Sequence, residues 1–319
     1  MVPVLFLVAI GLKFAFISNP LPPENPTSGG ILDSLLYQSL WIKLHPIAIG
    51  LLAVVIIILS GLYFNYLLNS RRMFQKNHLL TALSFIIFTS IFAGVQRLHP
   101  GIIMLPFTII LFRFVLLLYN THHPRTTVVN IGLVAGLGTL LYHPFWWMLP
   151  FCIIGLAQMR PFRFNEWVLL LISFTIPAYI VLSYEYLTNQ WNPSVHWPVW
   201  NPIRKPPPFD PWWAAAIFIG VFWVIAGISH WLSINRRALI QTRKNWYLLI
   251  IMGIFIFPSL FYPKGNVYEG LTLLLLPASA LGTYAFIGES RHKLKVFFFW
   301  VLITAGCIFS WAVIKGKMV

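Results

Sequence analysis

Glu24, Asp33, Glu185, Asp210 and Glu269 are five of the seven carboxylates in this chain, and all five fall at one set of ends of its apolar stretches. Only Glu166 and Glu289 fall at the other set. Arg97, His99, His143, His196, Arg204, Lys205 and Lys264 share the first face. Acids and cations mixed at a lipid–water boundary suit one kind of chemistry: a carboxylate takes a proton from a hydroxyl while cations neutralise a departing phosphate. Asp33 or Glu24 is the candidate catalytic base. Arg97, His99, His143, Arg204 and Lys205 are the candidate substrate-binding groups. The same residues also fit ordinary wet loops, in which they only meet solvent.

Soluble-enzyme chemistry has no support, since the chain has no phosphate-binding glycine loop, nucleophile elbow, HExxH or dinucleotide fingerprint. His122-His123 lacks a nearby carboxylate or cysteine, and adjacent histidines point apart on most backbones. No cofactor is expected; a divalent metal ion is the one the loop carboxylates could hold. Asn165 and Glu166, which follow Arg160-Pro161-Phe162-Arg163-Phe164, read as a helix cap and a complement to the helix dipole. Cys152 and Cys307 both fall in apolar runs, so no disulfide framework is implied.

The elements that must position these groups are membrane helices. The chain is 59% hydrophobic and only 9% charged, with a mean hydropathy of +0.79. A soluble domain carries about 25% charged residues. Apolar runs at 2–18, 45–68, 79–95, 101–119, 127–142, 144–159, 167–187, 212–233, 246–262, 269–288 and 295–314 predict an all-α polytopic bundle of about 11 transmembrane helices. They leave a single transmembrane domain over 1–319, with its longest connections at 19–44 and 188–211. Met1 to Ser18 lacks a basic start and a small-residue cleavage site, and reads as an uncleaved first span.

The net charge of +15 does not point to nucleic acid, because the cations sit in short loops between spans. Thirteen of them (Arg71, Arg72, Lys76, Arg125, Arg160, Arg163, Arg236, Arg237, Arg243, Lys244, Arg291, Lys293 and Lys295) fall in the even-numbered gaps. Seven (Lys43, Arg97, Arg204, Lys205, Lys264, Lys315 and Lys317) fall at the opposite face. That imbalance puts the N-terminus in the cytoplasm and the C-terminus outside, so the acid-rich face is the outer one. Lys13 and Arg113 lie within ~10 Å of a span end, from which their stems reach the interface.

Two outer connections have distinct characters. The first breaks at Pro20, Pro22, Pro23 and Gly29-Gly30. Residues 31–42 then place apolar groups at helical spacing, with Asp33, Ser34 and Gln38 off the stripe, predicting a helix lying along the interface. The second, 188–211, carries Trp191, Trp197 and Trp200 among seven prolines, which forbid a regular helix. Spans 127–142 and 144–159 are short and meet at Tyr142-His143-Pro144. Each reaches ~24 Å, less than the hydrocarbon thickness, so the pair reads as two thin spans or one hairpin turning within the membrane.

The run Asn130-Ile131-Gly132-Leu133-Val134-Ala135-Gly136-Leu137-Gly138-Thr139-Leu140-Leu141-Tyr142-His143-Pro144, followed by Arg160-Pro161-Phe162 and Glu166-Trp167, resembles an uncharacterised bacterial inner-membrane family. A more distant likeness, over the first half, is to the GT-C glycosyltransferases, in which a span resembles GLxxGLxxLTKPxxLLL. Here Gly132-Leu133, Gly136-Leu137, Leu140-Leu141 and Pro144 keep that spacing, with Tyr142-His143 in place of Thr-Lys. The adjacent acidic pair common in that superfamily's first outer loop is absent, as Glu24 and Asp33 stand nine residues apart. The GT-C likeness implies transfer of a sugar from a polyprenyl-phosphate lipid at the outer face. The alternative is a non-enzymatic scaffold or accessory subunit of an envelope secretion, assembly or motility complex. A secondary transporter would need polar groups near the bilayer midplane, which are scarce. The partners expected are membrane lipids, a polyprenyl-phosphate lipid among them, or envelope proteins.

Reporter fusions at Met318 should therefore be active only in forms that mature outside the cytoplasm. Activity confined to cytoplasmic reporters would reverse the orientation.

Overall fold

The computed structural model describes residues 45–92, 95, 98–120, 124–189, 211–235, 239–262, 266–287, 300, 301 and 303–308, together with Gly11 and Lys13. Among these residues every regular element is helical. Nine helices follow in order: α1 (Pro46–Ser70), α2 (Leu80–Ile91), α3 (Pro100–Leu117), α4 (Pro124–Leu141), α5 (Met148–Met159), α6 (Phe164–Leu187), α7 (Pro211–Asn235), α8 (Ile240–Ile256) and α9 (Val267–Ile287). Tight 3-10 turns at His143–Trp147 and Phe257–Phe261 join α4 to α5 and extend α8.

Six of these helices are long and apolar enough to cross a membrane: α1, α3, α6, α7, α8 with its 3-10 extension, and α9. The chain is thus a helical membrane protein, and the sequence-based count of about 11 spans is met only in this coarser form. The apolar run 79–95 becomes a 12-residue helix, and 144–159 becomes a 3-10 turn followed by another 12-residue helix. Each 12-residue helix is only ~18 Å long. The expected interfacial helix at 31–42 and the first expected span beyond Gly11 and Lys13 lie outside the described residues.

Position in the bundle follows burial. Eleven of the twelve residues of α2 are buried, and α9 is buried over most of its length. These two helices and α3 form the middle, with α9 touching α2, α3, α7 and α8. Helices α6 and α7 lie at the periphery and expose broad apolar faces, Phe218 and Tyr179 among them.

Small residues set the closest approaches. Lipid gives helices no hydrophobic reason to associate, so backbone proximity and van der Waals contact carry the packing. Helix α4 packs most extensively on α6. A Cβ on Gly132 would lie 1.9 Å from Ser173 Oγ and 2.8 Å from the Leu170 carbonyl oxygen, and one on Gly136 2.3 Å from the Phe174 carbonyl oxygen. A Cβ on Gly227 of α7 would stand 2.1 Å from the Leu281 carbonyl oxygen of α9. The chain runs out and back through α5 between α4 and α6, which are therefore parallel, with both N-termini at one end.

At that same end the loop after α1 is latched onto α8 and α9. The C-terminus of α1 closes with Met73 N donating to the Leu68 carbonyl at 3.0 Å and Arg72 N to Asn69 at 3.0 Å, Arg72 adopting φ 50°. This is the left-handed C-cap usually given to glycine, costing an arginine roughly 1–2 kcal/mol. The turn aims the Met73 carbonyl at two donors, Trp246 Nε1 at 3.0 Å and Tyr284 Oη at 3.1 Å. The rings of Phe74, Trp246 and Tyr284 pack mutually with centroids 5.0–5.4 Å apart.

One intramembrane cation departs from expectation. Lys13 does not reach water: it is fully buried, and among the described residues its Nζ has no hydrogen-bond partner. Arg113 is exposed and donates to Tyr63 Oη at 2.8 Å, so its stem does carry the charge along the helix surface.

Replacing Gly132 with leucine should destabilise the bundle by about 2–3 kcal/mol, because the Ser173 side chain and the Leu170 carbonyl together occupy the space the new atoms need. Gly220, with nothing within 4 Å of its Cβ position, is the control. Gly220→Ala should leave the thermal midpoint in detergent unchanged, and equal effects at both positions would refute the packing account.

Candidate functional site

Four element ends converge at the end of the bundle opposite the Met73 latch: the start of α3, the α4–α5 turn, the end of α8 and the start of α9. Each brings a polar side chain. At the centre is Glu269, in the first turn of α9 and 0% exposed. Asn266 starts this helix, its Oδ1 accepting from Tyr268 N at 3.4 Å. An Asn-x-x-Glu spacing of this kind marks a helix start, and the helix N-terminus stabilises negative charge on Glu269.

Two glycines let the neighbouring chains close over that carboxylate residue. A Cβ on Gly101 would lie 2.4 Å from the Glu269 carbonyl oxygen and 2.8 Å from its Cα. One on Gly270 would meet Ser259 Oγ at 2.6 Å and Leu260 N at 2.9 Å. The start of α3 and the 257–261 turn thus both rest directly on the first turn of α9.

His99 caps α3 in extended conformation and is 2% exposed. Its Nε2 shares a 3.3 Å hydrogen bond with Thr272 Oγ1, which also donates to the Tyr268 carbonyl at 2.7 Å. Burial lowers the His99 pKa to about 3, so the imidazole is neutral at physiological pH. It can orient a ligand by hydrogen bonding but brings no positive charge.

On the other side stands Tyr142, fully buried, with its hydroxyl beside Ser259 and within electrostatic reach of Glu269 and Tyr262. Tyr262 shares a 3.2 Å hydrogen bond with His143 Nδ1, the two rings stacking at 5.7 Å and 23°. Burial holds the Tyr262 phenol above its usual range, so it keeps its proton. Glu269, Tyr142, Ser259, Tyr262 and His143 form one polar set, and the His99–Thr272 pair lies beside it where the start of α3 rests on α9. Together they combine a carboxylate held at a helix N-terminus with neutral imidazole and phenol groups able to pass or hold a proton. Among the described residues no three His, Cys, Asp or Glu side chains gather as a metal site.

Of the residues singled out from sequence, His99 and His143 both join this centre, as does Glu269 from the wider acidic set. Glu185 sits half-buried near the far end of α6, outside it. Asp33, Glu24, Arg97, Arg204 and Lys205 lie outside the described residues, as do His196, Asp210 and Lys264. Sequence reasoning missed Tyr142 as a functional group, and Ser259, Tyr262 and Thr272 altogether. The one available signal was the Asn266-x-x-Glu269 spacing, which places an acid at a helix start next to the Tyr262 turn.

A buried neutral histidine makes the bundle acid-sensitive. The unfolded chain binds a proton at His99 below about pH 6.5, whereas the folded one does so only near pH 3, so stability present above 6.5 is lost as pH falls towards 3. The loss from this group at pH 4.5 is roughly 3 kcal/mol. His78, lowered to about 4 by burial at the opposite end, adds in the same direction. The unfolding midpoint in detergent should drop between pH 7.5 and 4.5, and drop less in His99→Gln. An identical drop in the variant would place the sensitivity elsewhere.

Residues 34–317 match the profile of a family of unknown function (DUF6427). No curated protein and no solved structure matches the chain.

Proposed function

The chain belongs to this family of unknown function (DUF6427), and on that premise we propose that it is an integral membrane protein of the bacterial cell envelope that transfers a sugar from a polyprenyl-phosphate lipid at its outer face. The observation that carries this reading is the fully buried Glu269 carboxylate, enclosed with Tyr142, His99 and Thr272 where four element ends meet. A buried acid in a wholly wet loop would need no such enclosure. The positive-inside imbalance assigns this end to the outer side and puts the N-terminus in the cytoplasm of the inner membrane. The outer loops 19–44 and 188–211 then belong to the same end.

In this reading the loops supply the reacting groups and the polar centre forms the floor beneath them. Asp33, or Glu24, takes the proton from the acceptor hydroxyl as the sugar's bond to phosphate breaks. Arg97, Arg204 and Lys205 neutralise the phosphate that leaves. His99, being neutral, and His143, bonded to Tyr262, contribute hydrogen bonds rather than charge. Glu269 holds the floor in register and keeps a negative charge away from the phosphate path. A non-enzymatic scaffold is the second reading, favoured by the breadth of apolar surface that α6 and α7 leave uncovered.

Purified chain should retain polyprenyl monophosphate in native mass spectrometry, and Arg204→Gln with Lys205→Gln should weaken retention at least about tenfold. Asp33→Asn should keep that retention while cutting transfer from a polyprenyl-phosphate-linked sugar about 10²–10⁴-fold. A wild-type chain that retains no polyprenyl phosphate ends the transferase reading and leaves the scaffold.

A further inference from the structure

The end of the bundle opposite Glu269 carries a second built feature. A groove of about 290 Å³ opens between the starts of α4 and α6, lined by Pro124, Arg125, Arg163, Phe164, Asn165 and Glu166. Its charge is one-sided. Glu166 is buried and already committed to Arg160, whose Nε stands 3.2 Å from Oε2. That pair is neutral, so Arg125 and Arg163, both exposed, leave the groove with two positive charges. No described carboxylate other than Glu166 lines it.

Three further observations set the chemistry of its occupant. The groove sits at the start of α6, one of the helices long and apolar enough to cross a membrane. Its two walls are parallel helices, so the positive ends of both dipoles add to the arginine charge. Beside it two aromatic side chains stand out from the protein, Phe162 at 71% and Phe164 at 68% exposure, with Phe162 packed on Trp167 at 5.2 Å. Rings so exposed at a helix end fit acyl chains and the interfacial belt, and not bulk water. A free anion would use the arginines and leave the phenylalanines bare.

We infer that this groove binds the headgroup of an anionic glycerophospholipid, with Arg125 and Arg163 on the phosphate and Phe162 and Phe164 along the acyl chains. The site is separate from the polar centre at Glu269 and independent of the transferase reading. It needs only that this end meets a headgroup layer, whichever side of the membrane that is. The lipid would also relieve the repulsion between two parallel helix N-termini that the Gly132 and Gly136 contacts force together.

The test uses the full chain in mixed micelles carrying equal amounts of phosphatidylglycerol and phosphatidylcholine, read by native mass spectrometry. Each arginine near a surface favours an anionic lipid roughly fivefold, so wild-type chain should retain phosphatidylglycerol over phosphatidylcholine by about tenfold or more. Arg125→Gln with Arg163→Gln should reduce the preference to near unity, while Lys76→Gln, at an exposed position outside the groove, should leave it intact. No preference in the unmodified chain overturns the proposal whether or not the double variant folds. So does a full preference in a folded double variant. In a parallel arm, inorganic phosphate that displaces the retained lipid and matches its thermal stabilisation would make this a free-phosphate site and overturn the lipid assignment.

Discussion

Lipid tails are as apolar as leucine, so a bundle in a bilayer gains nothing by hiding leucine from them. This fold depends on the alternative, which is backbone brought against backbone at glycine. Gly132 and Gly136 join α4 to α6, Gly227 joins α7 to α9, and Gly101 and Gly270 seat α3 and the 257–261 turn on the first turn of α9. Each contact excludes even one methyl group. Together they fix where helix ends fall, and the polar groups at those ends are positioned as a result.

The two ends of the bundle use that precision differently. At one, packing encloses Glu269, Tyr142 and His99 away from solvent and keeps the imidazole neutral. At the other, the aromatic latch around Met73 closes the α1–α2 loop over α8 and α9, while the neighbouring α4 and α6 starts remain open and basic. One end therefore holds a shielded acid and neutral proton carriers. The other presents fixed positive charge.

Helical class and membrane residence were legible because hydropathy adds residue by residue along the chain. Span length was less so. The apolar runs 79–95 and 144–159 each exceed the 12-residue helix they contain, since apolar composition does not say that the chain leaves the α-helix at Phe92 or tightens through His143–Trp147. His99, His143 and Glu269 stood out as polar residues at helix ends. Ser259, Tyr262 and Thr272 did not, being ordinary polar groups inside apolar segments whose meeting is a tertiary event. Lys13 shows the same limit. A stem long enough to reach the interface suggested a wet ammonium, yet burial depends on what packs around it, which spacing does not record.

The partnership of α4 and α6 has a consequence for biogenesis. Helix α4 contains Arg125, Thr126, Thr127 and Asn130 and is not among the helices apolar enough to cross alone, and α5 is shorter still. Neither carries a strong signal for entry into lipid, whereas α6, made immediately afterwards, does. The close contacts that would hold the hairpin, Ser173 and Phe174 against its glycines, exist only once α6 is made. Integration of this stretch is a joint event of three segments, and a ribosome stalled before Leu187 would leave the first two without a partner.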